Sequence, residues 1–483
     1  MFFGSNIYSS LAIMCKVLIP NSSVVLLRLI TAATALSDGY DLGVVNGVTL
    51  VLSNEWEPRT ISFFVAVLPF SVAIGALCGS LAADKLGRKP VLIFSYTLLI
   101  VGAVIMGIPA FAGFVLFIGR AIVGLGIGIG GVVGSVYMAE IAPTKTRGSL
   151  VAQETLFLSC GLLLGYLANY ALMTVKHNFN VMLGLGAVLP ALCLVALLTV
   201  GRNLPESPHW ERMQQRQSGS EADYSLVVTT SETPSPFHRL GFMELLNQFV
   251  KNSGSFSAVM IGVLQPLCGV GPILYFSDLT FSRVESEGKA EGTLIETKPE
   301  IAMSSIYIGL TKVAVLFVST LILMDRVERK KLLITSSVLL ILSLFGVFAA
   351  LQWAFNDPQW LLAAFCCTVG SYAVGWNCVP TVYPSEVLPT RIRTFGISMI
   401  TILGRIVSVT NAFLYPLIGL DNPKIWFLVF ACINVGSLVL VTVFAKETLN
   451  KPLLSKADES TSESEREELA MHVDDEDIVK KIE

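Results

Sequence analysis

The chain is poor in charge. Only 14% of its 483 residues are Asp, Glu, Lys or Arg, against 53% apolar ones, and the mean hydropathy is +0.69. A soluble globule of this length needs more polar surface, so the composition places the chain in lipid. Histidine is scarce, with four in all, and His177 and His209 show no metal-ligand spacing. Nine cysteines are scattered mostly through apolar runs, with Cys366 and Cys367 adjacent. They fit small buried hydrophobes better than a metal or redox centre. The glycine run from Gly119 to Gly131 has neither a strand before it nor a Walker Lys-Ser/Thr after it, so it reads as a close-packing helix face. No nucleophile-base pair, zinc spacing or nucleotide loop is found. These absences argue against an enzyme, a metal, a cofactor or a nucleic-acid partner. The stretch 282–300 has no glycosylation sequon, and the first 20 residues, with Lys16 and Pro20, form no convincing cleavable signal.

What the chain has is apolar length. About twelve runs reach the roughly 20 residues that a bilayer crossing needs. The loops between them alternate in basic content, with six Lys and Arg on the odd loops and sixteen on the even ones. By the positive-inside rule the even loops and both termini face the cytosol. The predicted organisation is a lead-in over 1–23, a six-helix bundle over 24–201, a cytosolic linker over 202–255, a second six-helix bundle over 256–445 and an acidic tail over 446–483. Phe237, Leu240, Phe242, Leu245, Leu246 and Phe249 give the linker's end, 237–252, the spacing of an amphipathic helix at the inner surface. The tail is too polar to bury, and Ser460, Ser462 and Ser464 each have a Glu three residues on, a pattern that suits an acid-directed kinase.

Two charged phrases recur. Glu140-Ile-Ala-Pro-Thr-Lys-Thr-Arg147 returns as Glu386-Val-Leu-Pro-Thr-Arg-Ile-Arg393, and Asp84-Lys-Leu-Gly-Arg88-Lys89 returns as Asp325-Arg-Val-Glu-Arg329-Lys330. Charged repeats set between apolar runs mark a duplicated bundle, which is how secondary transporters are built.

These phrases, with Gly39-Tyr40-Asp41, Gly119-Arg120, Pro205-Glu206-Ser207-Pro208, Leu264-Gln265 to Tyr275, Tyr383-Pro-Ser-Glu386 and Lys446-Glu447-Thr448, stand in register along nearly the whole chain. Together they resemble the sugar porter family of the major facilitator superfamily. The resemblance implies an all-α membrane protein of twelve transmembrane helices in two six-helix bundles. It also implies a monomeric carrier that alternates access to a central cavity. A carboxylate within the bilayer is costly and is a functional candidate by default. The aspartate matching Asp41 lies, in proton-coupled family members, near the arginine matching Arg120, so this pair is expected to carry the proton. A static ion pair that only fixes packing is the alternative. Arg88, Glu140, Arg147, Glu206, Asp325, Arg329, Glu386, Arg393 and Glu447 resemble the family's cytosolic gate, which latches the halves when the site faces outward. Glu328, where the family has glycine, suggests a weaker second copy.

For the solute the match is partial. Sugars call for amides and aromatics converging between the halves. The phrase in span seven keeps Gln265, and Gly271 stands where the family has asparagine. Thr155 holds the place of a family glutamine, with Glu154 beside it as the alternative if the register shifts by one. In span ten Thr381 takes the stacking Trp position, and Asn377 offers a replacing amide. Tyr275, Trp376 and Tyr372 are aromatic candidates for the cavity, with core positions as their alternative. Asp38 and Arg405 add charge where the family usually has apolar or aromatic groups. They bind solute or each other in a wet cavity, or else serve a helix seam. Lys312 reads as packing and charge compensation. The reading reached is a proton-driven carrier of a monosaccharide or polyol in the plasma membrane, with a vacuolar membrane also open. A uniporter, a carrier of a small charged solute and a transporter-like sensor remain alternatives.

Overall fold

The computed structural model describes residues 22–109, 113–141, 147–175, 178–199, 206–207, 210, 242–286, 299–324, 326–353, 358–389 and 392–448. The lead-in before 22, most of the linker and the tail beyond 448 lie outside them, as do Asp325 and the side chains of Arg147 and Arg393.

All regular structure among the described residues is helical. In the first half run α1 (Ser22–Leu52), α2 (Pro58–Leu86), α3 (Arg88–Gly107), α4 (Phe114–Ile141), α5 (Arg147–Leu172) and the pair α6 (Asn178–Leu185) and α7 (Val188–Thr199). A short α8 (Phe242–Lys251) precedes the second half. That half holds α9 (Ser253–Leu264), α10 (Val270–Ser286), α11 (Pro299–Val318), α12 (Arg329–Trp353), α13 (Pro358–Val374), α14 (Val379–Val387), α15 (Arg393–Leu414) and α16 (Pro423–Phe444). Ten helical spans are long and apolar enough to cross a membrane. The 31-residue α1 and the α9–α10 pair bring the crossings to twelve.

Prolines start several helices. Pro58, Pro299, Pro358 and Pro423 are the first residues of α2, α11, α13 and α16, where the missing N–H would have had no partner anyway. Between α2 and α3 the chain turns at Gly87, whose φ of 93° lies where a side chain is strained.

Glycine also sets the closest helix contacts. A Cβ on Gly161 of α5 would lie 2.1 Å from the Leu36 carbonyl oxygen of α1, and one on Gly128 of α4 would lie 2.2 Å from that of Val72 in α2. Only backbone fits there, as small-residue packing in lipid requires. The glycine run of the fourth crossing is therefore a packing face. Across the halves, α1 packs on α10, α2 on α15, and α5 on α11 and α14.

Two crossings of the second half are broken. Pro266 ends α9 in a single 3-10 turn, Pro266–Cys268, and Gly269 (φ 82°) restarts the helix as α10. Likewise α13 stops at Val374, and the chain resumes helix only at Val379. Five-residue π turns, Ser319–Leu323 and Tyr415–Gly419, finish α11 and α15. Irregular backbone at membrane depth is tolerated where it lines a cavity, and both breaks do so. Of the expected amphipathic helix over 237–252, residues 242–251 form α8, with Met243 and Val250 exposed and Phe249 packed against Phe395 of α15, while 237–241 lie outside the described residues.

Candidate functional site

A cavity of about 450 Å³ lies between the halves. Asp38, Thr155, Gln265, Gly271, Tyr275, Asn377, Thr381 and Arg405 all line it, as does Tyr372. The broken helices explain how residues from α9, α10 and the 375–378 turn reach one space. The cavity extends to the end of the bundle that carries the basic loops, where Glu140, Pro384, Ser385 and Ile397 line it.

Trp376 is placed elsewhere. It is fully buried behind the wall, its indole N–H donating to Ser337 Oγ at 2.8 Å. Its carbonyl accepts from Gln265 Nε2 at 3.2 Å, so it positions that amide and offers no face to a solute.

Asp38 and Arg405 meet each other, Arg405 Nη2 standing 3.3 Å from Asp38 Oδ2. Glu154 and Thr155 both line the cavity, so the choice between them dissolves. Consecutive helical residues point about 100° apart, and here the cavity is wide enough to meet both. Glu154 accepts from Ser135 Oγ at 2.7 Å. Lys312, expected to pack and to compensate charge, also lines the cavity.

Asp41 sits one turn beyond Asp38 on α1, behind the cavity wall, and Arg120 Nη1 of α4 lies 3.3 Å from its carboxylate. Arg120 is wholly buried, its guanidinium 4.6 Å from the centre of the Phe64 ring, and its Nε and Nη2 have no hydrogen-bond partner. An arginine left with unspent donors is held by charge and by the ring face, a looser seat than a bidentate pair.

The repeated phrases build the same device twice. Arg88 pairs with Glu140 at 2.8 Å, and Arg329 with Glu386 at 3.0 Å. Glu206 accepts from the backbone N–H of Arg88 at 2.8 Å, as Glu447 does from that of Arg329 at 3.0 Å. Each glutamate thereby caps the start of a helix, α3 and α12, where free N–H groups and the helix dipole favour an anion. The second copy keeps these contacts with Glu328 in place of glycine, Glu328 itself pairing with Lys331. All of these pairs lie within one half.

At the opposite end the halves are joined by a cluster that the sequence reading missed. Asn46 of α1 donates through Nδ2 to Ser277 Oγ at 3.0 Å and to Ser305 Oγ at 2.8 Å, and its Oδ1 accepts from the Asp278 N–H at 3.2 Å. Ser305 also donates to the Asp278 carboxylate. All four residues are at most 1% exposed. Among the described residues no cation pairs with Asp278. An acid inside an apolar run is the signal that could have found it.

Two helical halves enclosing a polar cavity that extends toward one end, with the other end tied shut, are the architecture of an alternating-access carrier. The family profile for "Sugar (and other) transporter" matches residues 27–457, and the chain belongs to that family. It is a transporter rather than an enzyme. A probable polyol transporter 3 of Arabidopsis thaliana is 28% identical over 460 residues, covering 86% of this chain and 87% of its own. The glucose transporter GlcP of Staphylococcus epidermidis is 26% identical over 442 residues, covering 89% and 95%. Among solved structures, the major facilitator proton:xylose symporter XylE bound to 6-bromo-6-deoxy-D-glucose superposes with a TM-score of 0.70 at 20% identity, covering 89% of this chain and 98% of that one. A partially occluded inward-open form of the E. coli xylose transporter XylE also reaches 0.70, at 19% identity. At such identities these structures establish the fold.

Proposed function

We propose that the protein carries a monosaccharide or polyol across its membrane together with a proton. The observation that carries this is the buried Asp41–Arg120 pair directly behind the wall of the cavity. Asp41 takes a proton on one side, releasing Arg120, and recaptures Arg120 when it gives the proton up on the other, so the pair biases the two arrangements of the bundle. The solute is held by Asp38, Thr155, Gln265, Tyr275, Asn377, Thr381 and Arg405, with Gly271 leaving room for it. Hydroxyl-rich solutes suit this mixture of donors, acceptors and aromatic faces. The polyol and glucose carriers among the relatives support the same class.

The positive-inside rule puts the basic loops and both termini in the cytosol, so the arrangement described is open inward. Arg88, Glu140, Arg147, Glu206, Asp325, Arg329, Glu386, Arg393 and Glu447 form the inner gate. The two of its pairs that the described residues give, Arg88 with Glu140 and Arg329 with Glu386, stay within their own halves, which suits that open state. The protein works as a monomer in the plasma membrane. The test is uptake of labelled D-glucitol, D-glucose and D-xylose into vesicles of the purified protein with external pH recorded. External alkalinisation that tracks uptake supports symport, equilibration without it means a uniporter, and no uptake of any probe sinks the reading.

A further inference from the structure

Among the described residues one ion pair joins the two halves, Asp38 of α1 with Arg405 of α15. The others, Arg88 with Asp84 and Glu140, Arg120 with Asp41, Arg329 with Glu386 and Lys331 with Glu328, each stay within a half. The joining pair is only half spent. Asp38 is 5% exposed, and its Oδ1 is buried with no hydrogen-bond partner. A carboxylate oxygen without a donor keeps its full desolvation cost.

A matching group stands on the same cavity. Lys312 of α11 is 2% exposed, lines the cavity, and makes no ion pair or hydrogen bond with the described residues. Asp38 is the carboxylate whose charge reaches it, from beyond ion-pair distance. On the cavity the first half thus offers Asp38 Oδ1 without a donor, and the second offers the Lys312 ammonium without an acceptor. Each is the kind of group that the other would satisfy. The two groups line the same cavity from opposite halves.

We propose that Lys312 is a second seat for Asp38, its ammonium taking Asp38 Oδ1 when the halves close around the solute while Arg405 holds Oδ2. The joined carboxylate then bridges α11 and α15, and the occluded state gains an ion pair that the open state lacks. Lys312 is a positioning residue for the closing step and touches no solute. The inference rests on the transport reading, because a contact formed on closure has a role only in a carrier that closes.

The experiment compares wild type, Lys312→Met, Lys312→Arg, Asp38→Asn and the Asp38→Asn/Lys312→Met double variant in vesicles. Two quantities are read with whichever of D-glucitol, D-glucose and D-xylose the wild type moves: the dissociation constant from ligand-induced thermal stabilisation, and the maximal transport rate. Lys312→Met is expected to lower the maximal rate about tenfold or more, the size of one lost ion pair, while binding stays within about twofold. Lys312→Arg should keep most of the rate, and the double variant should be no slower than Asp38→Asn alone. If Lys312→Met fails to fold, Lys312→Gln replaces it under the same criteria. The inference is overturned if the variant weakens binding and keeps its rate, or if the two losses multiply in the double variant. Failure of those arms leaves the transport reading standing, whereas a wild type that moves none of the probes overturns both.

Discussion

Asn46 and Ser305 come from different halves of the molecule and meet at 2.8 Å, both almost wholly buried. Around that contact Ser277 and Asp278 complete a network in which one amide supplies two N–H bonds and accepts a third. A buried network of this kind has more influence on which state is populated than its size suggests, because each member left alone keeps its desolvation cost.

Replacing Asn46 with leucine should therefore open the end that is now shut. The substitution removes three hydrogen bonds; Ser277 and Ser305 keep each other at 2.8 Å, and the Asp278 backbone N–H loses its amide acceptor, at roughly 1–3 kcal/mol for the group stranded. Cysteines placed near 282 or 301 should become more reactive toward a membrane-impermeant maleimide added to that side. Unchanged labelling would show that the cluster does not hold the closure.

Asp41→Asn should separate accumulation from exchange. The amide imitates the protonated acid, so Arg120 is released permanently and the proton can no longer drive the cycle. Uphill uptake and its dependence on external pH should vanish, while solute-for-solute exchange persists. Accumulation at the wild-type level would make the pair structural only.

The two copies of the charged device allow a symmetric test. Glu206→Gln and Glu447→Gln keep the shape and remove the charge that sits on the starts of α3 and α12. Each should lower thermal stability by about 0.5–2 kcal/mol, the usual worth of such a cap. Calorimetry of the two variants in one detergent checks this, and a change in only one would show that the copies have diverged.

Trp376→Phe should leave solute affinity nearly unchanged, because the indole N–H donates to Ser337 and Trp376 is not among the residues that line the cavity. The lost indole bond costs about 1 kcal/mol of stability. A tenfold loss of affinity for a transported sugar would return this residue to the solute site.

Much of this was legible in the chain. The repeated charged phrases point to the duplication, and Glu140 and Glu386 do form matching pairs, with Arg88 and Arg329. Charge within an apolar run marks Asp41, Asp38 and Arg405 as candidates; the family resemblance supplies Arg120 as the partner of Asp41, and of the alternatives for Asp38 and Arg405 the structure shows them paired with each other. For Trp376 the structure takes the core alternative, since helical periodicity fails across a break and the 375–378 turn directs its indole to Ser337. Lys312 was undervalued because a long stem packs along a helix while its head reaches elsewhere. Asp278 was passed over although its charge alone should have marked it. Its partners lie 27 and 232 residues away, where no local pattern points.

The carbonyl of Leu36, standing where Gly161 would need a methyl, welds α1 to α5. Asp38 and Asp41 on one rod, and Glu154 and Thr155 on the other, must then travel as a single casting. Whatever changes during turnover is measured from that block to the opposite wall, and the spacing among these four side chains serves as the fixed ruler.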